Sequence, residues 1–186
     1  GGGGIGNAWD SVTVAKDAII EENLAMQADV GAGGGGFRNS EDASSFLYNT
    51  VFRRNSAFIG GGLMNAMPRG KQFMQSNVVL EYVSFEHNFA DTDGGGAFLY
   101  SHPARLSHVS FTNNSATGTT ASNGGGALMN SGSMINITGN SVFMGNTAVA
   151  GSGSGGAILN SAGGILRING ATFNGNSSSR AGGAIE

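Results

Sequence analysis

The sequence predicts an all-β fold, a right-handed parallel β-helix with about six coils of roughly 30 residues, as one segment spanning residues 1–186. Three observations support this prediction. Two short motifs alternate along the whole chain, the segments between them suit short strands, and glycine clusters interrupt any helical period before it reaches three turns. With 39% hydrophobic residues, the chain has enough apolar side chains for a continuous core.

The first motif is a glycine cluster followed by an apolar strand. It reads GGGFRN at 34–39, GGGLMN at 60–65, GGGALMN at 124–130, GGAILN at 155–160 and GGAI at 182–185. The small residues that follow each glycine pair are Gly4, Gly36, Gly62, Ala97, Ala127, Ala157 and Ala184. These markers are separated by 32, 26, 35, 30, 30 and 27 residues. Glycine permits positive φ and close backbone approach, so the motif predicts a tight corner where each coil begins.

The second motif is Phe-x-x-Asn, and it falls between successive glycine clusters. It reads FRRN, FEHN, FTNN, FMGN and FNGN, with IEEN in the first repeat. The distance from marker to aromatic residue is 16 in four of the six repeats, whereas the return to the next marker varies from 10 to 16. Each repeat therefore has one arm of nearly fixed length and one variable loop.

The fixed arm predicts strand, turn, strand. Stretches such as VVLEYVSF at 78–85 and LRINGATF at 166–173 combine β-branched and aromatic residues, as strands of about four to six residues do. No room remains for crossover helices, and a propeller blade needs about 40 to 45 residues. We therefore expect two or three parallel sheets, with rungs about 4.8 Å apart and right-handed crossovers.

Both motifs place the same residue types at equivalent positions in successive coils. The phenylalanines predict one stacked column inside the rod: Phe52, Phe85, Phe111, Phe143 and Phe173. The asparagines of the second motif predict an unbroken column: Asn23, Asn55, Asn88, Asn114, Asn146 and Asn176. Those of the glycine motif predict another, interrupted by Tyr100: Asn7, Asn39, Asn65, Asn130 and Asn160. Inward asparagines at turns bond backbone groups and one another, so we interpret both columns as structural.

With GGA-I/L and Phe-x-x-Asn side by side in every repeat, the sequence resembles the polymorphic outer-membrane protein repeats. Such repeats occur in the passenger domains of bacterial autotransporter adhesins and in other large surface proteins built as pectin-lyase-like β-helices. The resemblance covers the whole chain and rests on both motifs together, since each alone is a weak signal. It implies a right-handed β-helix that lies outside the cell or on the cell surface and acts as an adhesin or a structural rod.

Two functions follow from this interpretation. The favoured one is a non-catalytic extracellular rod, structural or adhesive. The alternative is a carbohydrate-active β-helix of the lyase, hydrolase or epimerase type, with its catalytic coils not evident in this segment. Acid–base cleavage of a glycan needs two carboxyl groups within about 5–9.5 Å. The positions after the aromatic residue instead alternate in charge between coils, as in Glu21, Arg53 and Glu86, which is typical of exposed cross-strand ion pairs. We expect no catalytic residue and no cofactor.

Composition excludes further classes of function. The net charge of -3, without a basic run, argues against nucleic-acid binding, and the absence of cysteine excludes disulfides and thiolate metal sites. The longest nearly apolar run, residues 57–67, is too short to span a bilayer. Asp91 and Asp93 are interpreted as a solvated turn, and His102 and His108 as surface residues, so we expect no metal site.

Partners are expected at the ends of the rod and at one loop. Uncapped rungs predict stacking on other coils of a longer chain or on sister subunits. The long interval between Gly62 and Phe85 predicts a loop with Pro68, Arg69, Gly70 and Lys71 at its tip, a candidate contact for a host-cell or matrix glycan or protein. The sequence contains three sequons. Because successive side chains of a strand alternate between inside and outside, Asn113 is expected to point outward and is the candidate glycosylation site.

Overall fold

The computed structural model describes residues 2–26, 33–65, 77–149 and 151–186, and within these ranges every regular element is a β-strand. Four sheets, named A to D, each contain six parallel strands. The chain passes through A, B, C and D in that order before it returns to A, so each coil contributes one strand to every sheet. The predicted parallel β-helix is confirmed, while its right-handed winding stays a prediction.

Sheets A and B follow each glycine corner. Sheet A contains β1 (Ile5–Asn7), β5 (Phe37–Asn39), β9 (Leu63–Asn65), β13 (Ala97–Tyr100), β17 (Leu128–Ser131) and β21 (Ile158–Ser161). Sheet B contains β2 (Val12–Lys16), β6 (Ser44–Tyr48), β10 (Val78–Glu81), β14 (Ala104–Ser107), β18 (Met134–Thr138) and β22 (Ile165–Ile168). Each coil begins with its strand in sheet A. Coil 1 therefore begins at β1, coil 2 at β5, coil 3 at β9, coil 4 at β13, coil 5 at β17 and coil 6 at β21.

Sheets C and D complete each coil, on either side of the Phe-x-x-Asn turn. Sheet C contains β3 (Ile19–Glu21), β7 (Val51–Arg53), β11 (Ser84–Glu86), β15 (Ser110–Thr112), β19 (Val142–Met144) and β23 (Thr172–Asn174). Sheet D contains β4 (Leu24–Ala25), β8 (Ser56–Ile59), β12 (Phe89–Asp93), β16 (Ser115–Ala116), β20 (Thr147–Ala148) and β24 (Ser177–Ser178). The expectation of two or three sheets was wrong, because the chain turns between every pair of these short strands and so forms four.

The glycine corner of coil 4 shows why three glycines precede a strand. Gly94 has φ +64°, a conformation that side chains disfavour. A Cβ on Gly95 would overlap carbonyl oxygens of Gly126 and Ser115, and a Cβ on Gly96 would lie 2.6 Å from the Phe111 ring. The first glycine makes the bend, and the next two allow backbone and ring to pack directly against the corner.

Strand register corrects one position of the interrupted asparagine column. Ala97 pairs with Leu63 and Leu128, so Leu99, and not Tyr100, lies between Asn65 and Asn130. The marker of coil 4 is consequently Gly96, one residue earlier than the sequence indicated. The reason is conformational: the positive-φ glycine sets the corner, and a run of three glycines does not reveal which one that is.

The interior of the rod is filled by columns of equivalent residues. The rings of Phe52, Phe85, Phe111, Phe143 and Phe173 stack in order, with centroids 4.9, 4.5, 5.0 and 4.8 Å apart and interplanar angles of 4–8°. In coil 1, Ile20 pairs with Phe52 and takes the equivalent place. Leucines and isoleucines of sheet B face these rings, among them Leu47, Leu80, Leu106 and Ile137, all fully buried. Because every coil packs only on its neighbours, the core is continuous along the rod.

No helix in the described ranges is long and apolar enough to cross a membrane.

Candidate functional surfaces

The asparagines of the Phe-x-x-Asn turns form a hydrogen-bonded ladder. Side-chain Nδ2 of each donates to Oδ1 of the next coil's asparagine, over distances of 2.9–3.0 Å from Asn23 to Asn176. The backbone nitrogen of each of the first five donates to the same oxygen. From Asn55 onward, Nδ2 also donates to a backbone carbonyl of the preceding coil, such as that of Phe52 in the case of Asn88. These side chains are occupied inside the rod and offer nothing to an external ligand.

The asparagines of sheet A form a shorter ladder in two parts. Asn7 donates to Asn39 at 2.8 Å, Asn39 donates to Asn65 at 2.9 Å, and Asn130 donates to Asn160 at 2.7 Å. Leu99 separates the two parts. The same amides also close the turn that follows: Nδ2 of Asn130 donates to the carbonyl of Ser133, whose backbone nitrogen donates to Oδ1 of Asn130.

A charged corner lies on the exterior where sheet C ends. Arg53 pairs with Glu21 at 2.5 Å, and Arg54 pairs with Glu22 at 2.7 Å and Glu21 at 3.1 Å. The hydrogen bond from Arg53 lowers the pKa of the Glu21 carboxyl, and the charges of both arginines add to this. A carboxyl group held ionised in this way is a poor proton donor, which makes Glu21 unsuited to the acid role in glycan cleavage.

The outer surface of sheet B changes character along the rod. Val14, Phe46 and Val79 lie side by side in register on coils 1 to 3, and Val14 is 58% exposed. The register then continues through Arg105, Asn136 and Arg167. We call Val14, Phe46 and Val79, with the neighbouring Tyr82, the apolar face. A second exposed apolar pair on this sheet surface, Met134 with Ile165, lies on coils 5 and 6 and is not included in this name.

Two histidines border the sheet B strands of coil 4, and their environments differ. His108 is exposed, and its ring stacks on Tyr82 with centroids 4.5 Å apart. His102 is 9% exposed, and its Nε2 has no hydrogen-bond partner. Burial lowers the pKa of His102, and the charge of Asp42 opposes this in part. The expectation that His102 is a surface residue was wrong, because its position aligns with the buried side of the turn between sheets A and B.

A polar cluster surrounds Asp93 at the end of sheet D. Asp93 is 8% exposed, although the sequence indicated a solvated turn; it lies in β12, under the loop of the next coil. Its Oδ1 accepts hydrogen bonds from the Gly124 backbone at 2.9 Å and from Asn123 Nδ2 at 3.2 Å, and Oδ2 accepts from Asn123 Nδ2 at 3.0 Å. Burial raises the pKa of the Asp93 carboxyl, and these hydrogen bonds lower it in part. The spacing of residues in the sequence could not predict this cluster, because the cluster depends on a loop whose length varies from coil to coil.

The sequons occupy three different environments. Asn113 is exposed at a corner with φ +53°. Asn136 faces outward between two arginines of sheet B, and Asn176 accepts hydrogen bonds in the ladder. The predicted partner loop with Pro68, Arg69, Gly70 and Lys71 lies outside the described residues. Over the ranges that the structure describes, no group of three or more acidic or histidine side chains could hold a metal ion.

A protein-family model matches two stretches of this chain. The model of the Chlamydia polymorphic membrane protein repeat matches residues 108–131 and 170–186. The first stretch contains Phe111, Asn114 and the glycine corner that leads into β17, and the second contains Phe173, Asn176 and the last GGAI. The resemblance read from the two motifs is thereby confirmed. Neither the curated proteins nor the solved structures gave a match.

Proposed function

We propose that this chain, a β-helix whose coils carry the polymorphic membrane protein repeat, is a non-catalytic rod of a cell-surface protein, displayed outside the cell as a structural or adhesive element. The repeat match is the observation that carries the proposal. The matched stretches contain residues of the ring stack, the asparagine ladder and the glycine corner. The residues typical of the repeat are therefore those that build the scaffold. What varies between coils is the exterior, and that is where recognition is expected.

The chemistry of the described residues supports a role without catalysis. The carboxylates of Glu21 and Glu22 are paired with arginines on the exterior of the rod. An exposed apolar area on a rigid scaffold is typical of a contact surface. The apolar face is therefore the part of this segment that we expect to contact a host-cell or matrix protein or glycoprotein.

The test is adhesion of beads coated with the purified chain to cells and to immobilised matrix proteins. Replacement of Val14, Phe46 and Val79 by serine should reduce adhesion without loss of β-rich circular dichroism. A matched control replaces Asn136, Thr138 and Arg167, on the outer surface of the same sheet in coils 5 and 6, and should adhere like the native chain. If the serine variant adheres as strongly as the control variant and the native chain, the contact lies elsewhere.

A parallel assay addresses the carbohydrate-active alternative. The chain is incubated with acidic polysaccharides, and new reducing or unsaturated ends are measured. We expect none. Product formation by the native chain would overturn the non-catalytic assignment whatever the outcome of the adhesion experiment.

A further inference from the structure

We propose that the Asn123–Gly124 peptide is a site of self-catalysed cyclisation, in which the backbone nitrogen of Gly124 attacks the side-chain carbonyl carbon of Asn123 with Asp93 as the general base. The product is a cyclic imide, which water then opens to aspartate or isoaspartate. The site is independent of the adhesive role.

The nucleophile and the base are in contact. Gly124 is buried, and its backbone nitrogen donates to Oδ1 of Asp93 at 2.9 Å. A peptide nitrogen becomes nucleophilic only as it loses its proton, and a carboxylate within hydrogen-bond distance is placed to accept that proton. Burial raises the pKa of the Asp93 carboxyl, which makes its ionised form a stronger base than an exposed aspartate.

The electrophile is polarised by a second residue. Oδ1 of Asn123 accepts hydrogen bonds from Oγ1 of Thr120 at 2.7 Å and from the Thr120 backbone nitrogen at 3.3 Å. Attack on the side-chain carbonyl carbon develops negative charge on this oxygen. Two donors already in place stabilise that charge, as in other acyl transfers.

The leaving group also contacts the base. Nδ2 of Asn123 lies 3.0 Å from Oδ2 and 3.2 Å from Oδ1 of Asp93, so both nitrogens involved converge on one carboxyl group. The bond from the Gly124 nitrogen to Cγ of Asn123 forms, and the bond from Cγ to Nδ2 breaks. Asp93 passes the proton taken from the Gly124 nitrogen to Nδ2, which leaves as ammonia. The step therefore balances without an oxidant or any reagent other than the water that later opens the ring.

Two other Asn-Gly pairs in this chain provide internal comparisons. Asn169–Gly170 and Asn174–Gly175 have exposed asparagines, and within the described part of the chain neither asparagine bonds to a carboxylate. Without a base, they report the rate that the dipeptide alone allows. In all three pairs the residue that follows asparagine is glycine. A difference in reaction rate therefore reflects the surroundings of Asn123.

The experiment incubates the native chain at neutral pH and follows all three sites by peptide mapping and mass spectrometry, with hydroxylamine to cleave the cyclic imide. Because general acid–base catalysis contributes about 100-fold or more, we expect Asn123 to react at least ~10-fold faster than Asn169 and Asn174. Asp93→Asn should bring Asn123 to the rate of the other two sites. In urea, where the fold is lost, the three rates should become equal.

Thr120→Val tests the site without removing a buried charge. The variant keeps the backbone donor but loses the Oγ1 donor, so we expect slower imide formation at Asn123 alone. If Asn123 in the native chain reacts no faster than the exposed pairs, or if Asp93→Asn and Thr120→Val both leave its rate unchanged, the proposal is wrong and Asp93 only holds the loop in place.

Discussion

Oδ1 of Asn114 accepts two hydrogen bonds from Asn88 of the preceding coil, one from its side-chain nitrogen and one from its backbone nitrogen, both at 3.0 Å. The side-chain nitrogen of Asn88 also donates to the carbonyl of Phe52, at 2.9 Å. One asparagine side chain therefore bonds to the coil on each side of it and satisfies buried groups that the turn leaves unpaired. This geometry makes the ladder the clearest target for a stability measurement.

Asn88→Ala should destabilise the fold severely. The change removes the acceptor for two donors of Asn55 and leaves the Phe52 carbonyl without its partner. Since each buried polar group left unpaired costs about 1–3 kcal/mol, we expect the free energy of unfolding in urea to fall by at least ~3 kcal/mol. Asn174→Ala, at an exposed asparagine on sheet C, is the matched control and should change it by less than ~0.5 kcal/mol.

Phe111→Ala should open a cavity in the middle of the ring stack. Phe111 is fully buried and stacks on both Phe85 and Phe143. The expected loss of unfolding free energy is about 3–5 kcal/mol, and Phe111→Leu should recover part of it. Phe98→Ala, on the outward side of β13, should cost far less. Similar losses for Phe98 and Phe111 would mean that the stack is not the main packing element.

His87→Gly should stabilise the protein. His87 is exposed at a corner with φ +53°, where coils 5 and 6 have Gly145 and Gly175 with φ +64° and +61°. A side chain in this region costs about 1–2 kcal/mol, which exceeds the extra entropy that glycine brings to the unfolded chain. We expect the midpoint of urea unfolding to rise. His87→Ala retains the unfavourable conformation and should not raise it, which separates backbone strain from any effect of the imidazole.

The buried His102 should make stability depend on pH. Its pKa in the folded state lies below the ordinary value of 6.5, mainly because of burial, so the unfolded chain binds protons more readily. Stability is therefore full above pH 6.5 and falls as the pH drops from there towards the folded pKa, by no more than about 1.4 kcal/mol per pH unit. His102→Gln, which removes the titrating group, should flatten this part of the unfolding profile.

The parts of the fold that could be predicted from sequence are those with a constant spacing. Phe111 and Asn114 recur at fixed distances because each coil has to place the same group over the one before it. The register at Leu99 could not be read, since three consecutive glycines look alike until their φ angles are known. The burial of Asp93 could not be read either, because the loop that covers it belongs to the arm of variable length.

The hydrogen bonds of all four sheets connect one coil to the next, so they run along the axis of the rod. Tension that pulls the two ends apart is shared by every bond at a coil boundary, and the boundary gives way as a unit. One released coil of roughly 30 residues lengthens by about 100 Å, at about 3.4 Å per residue. Extension of the rod under tension is therefore expected to proceed in discrete steps of about one coil each.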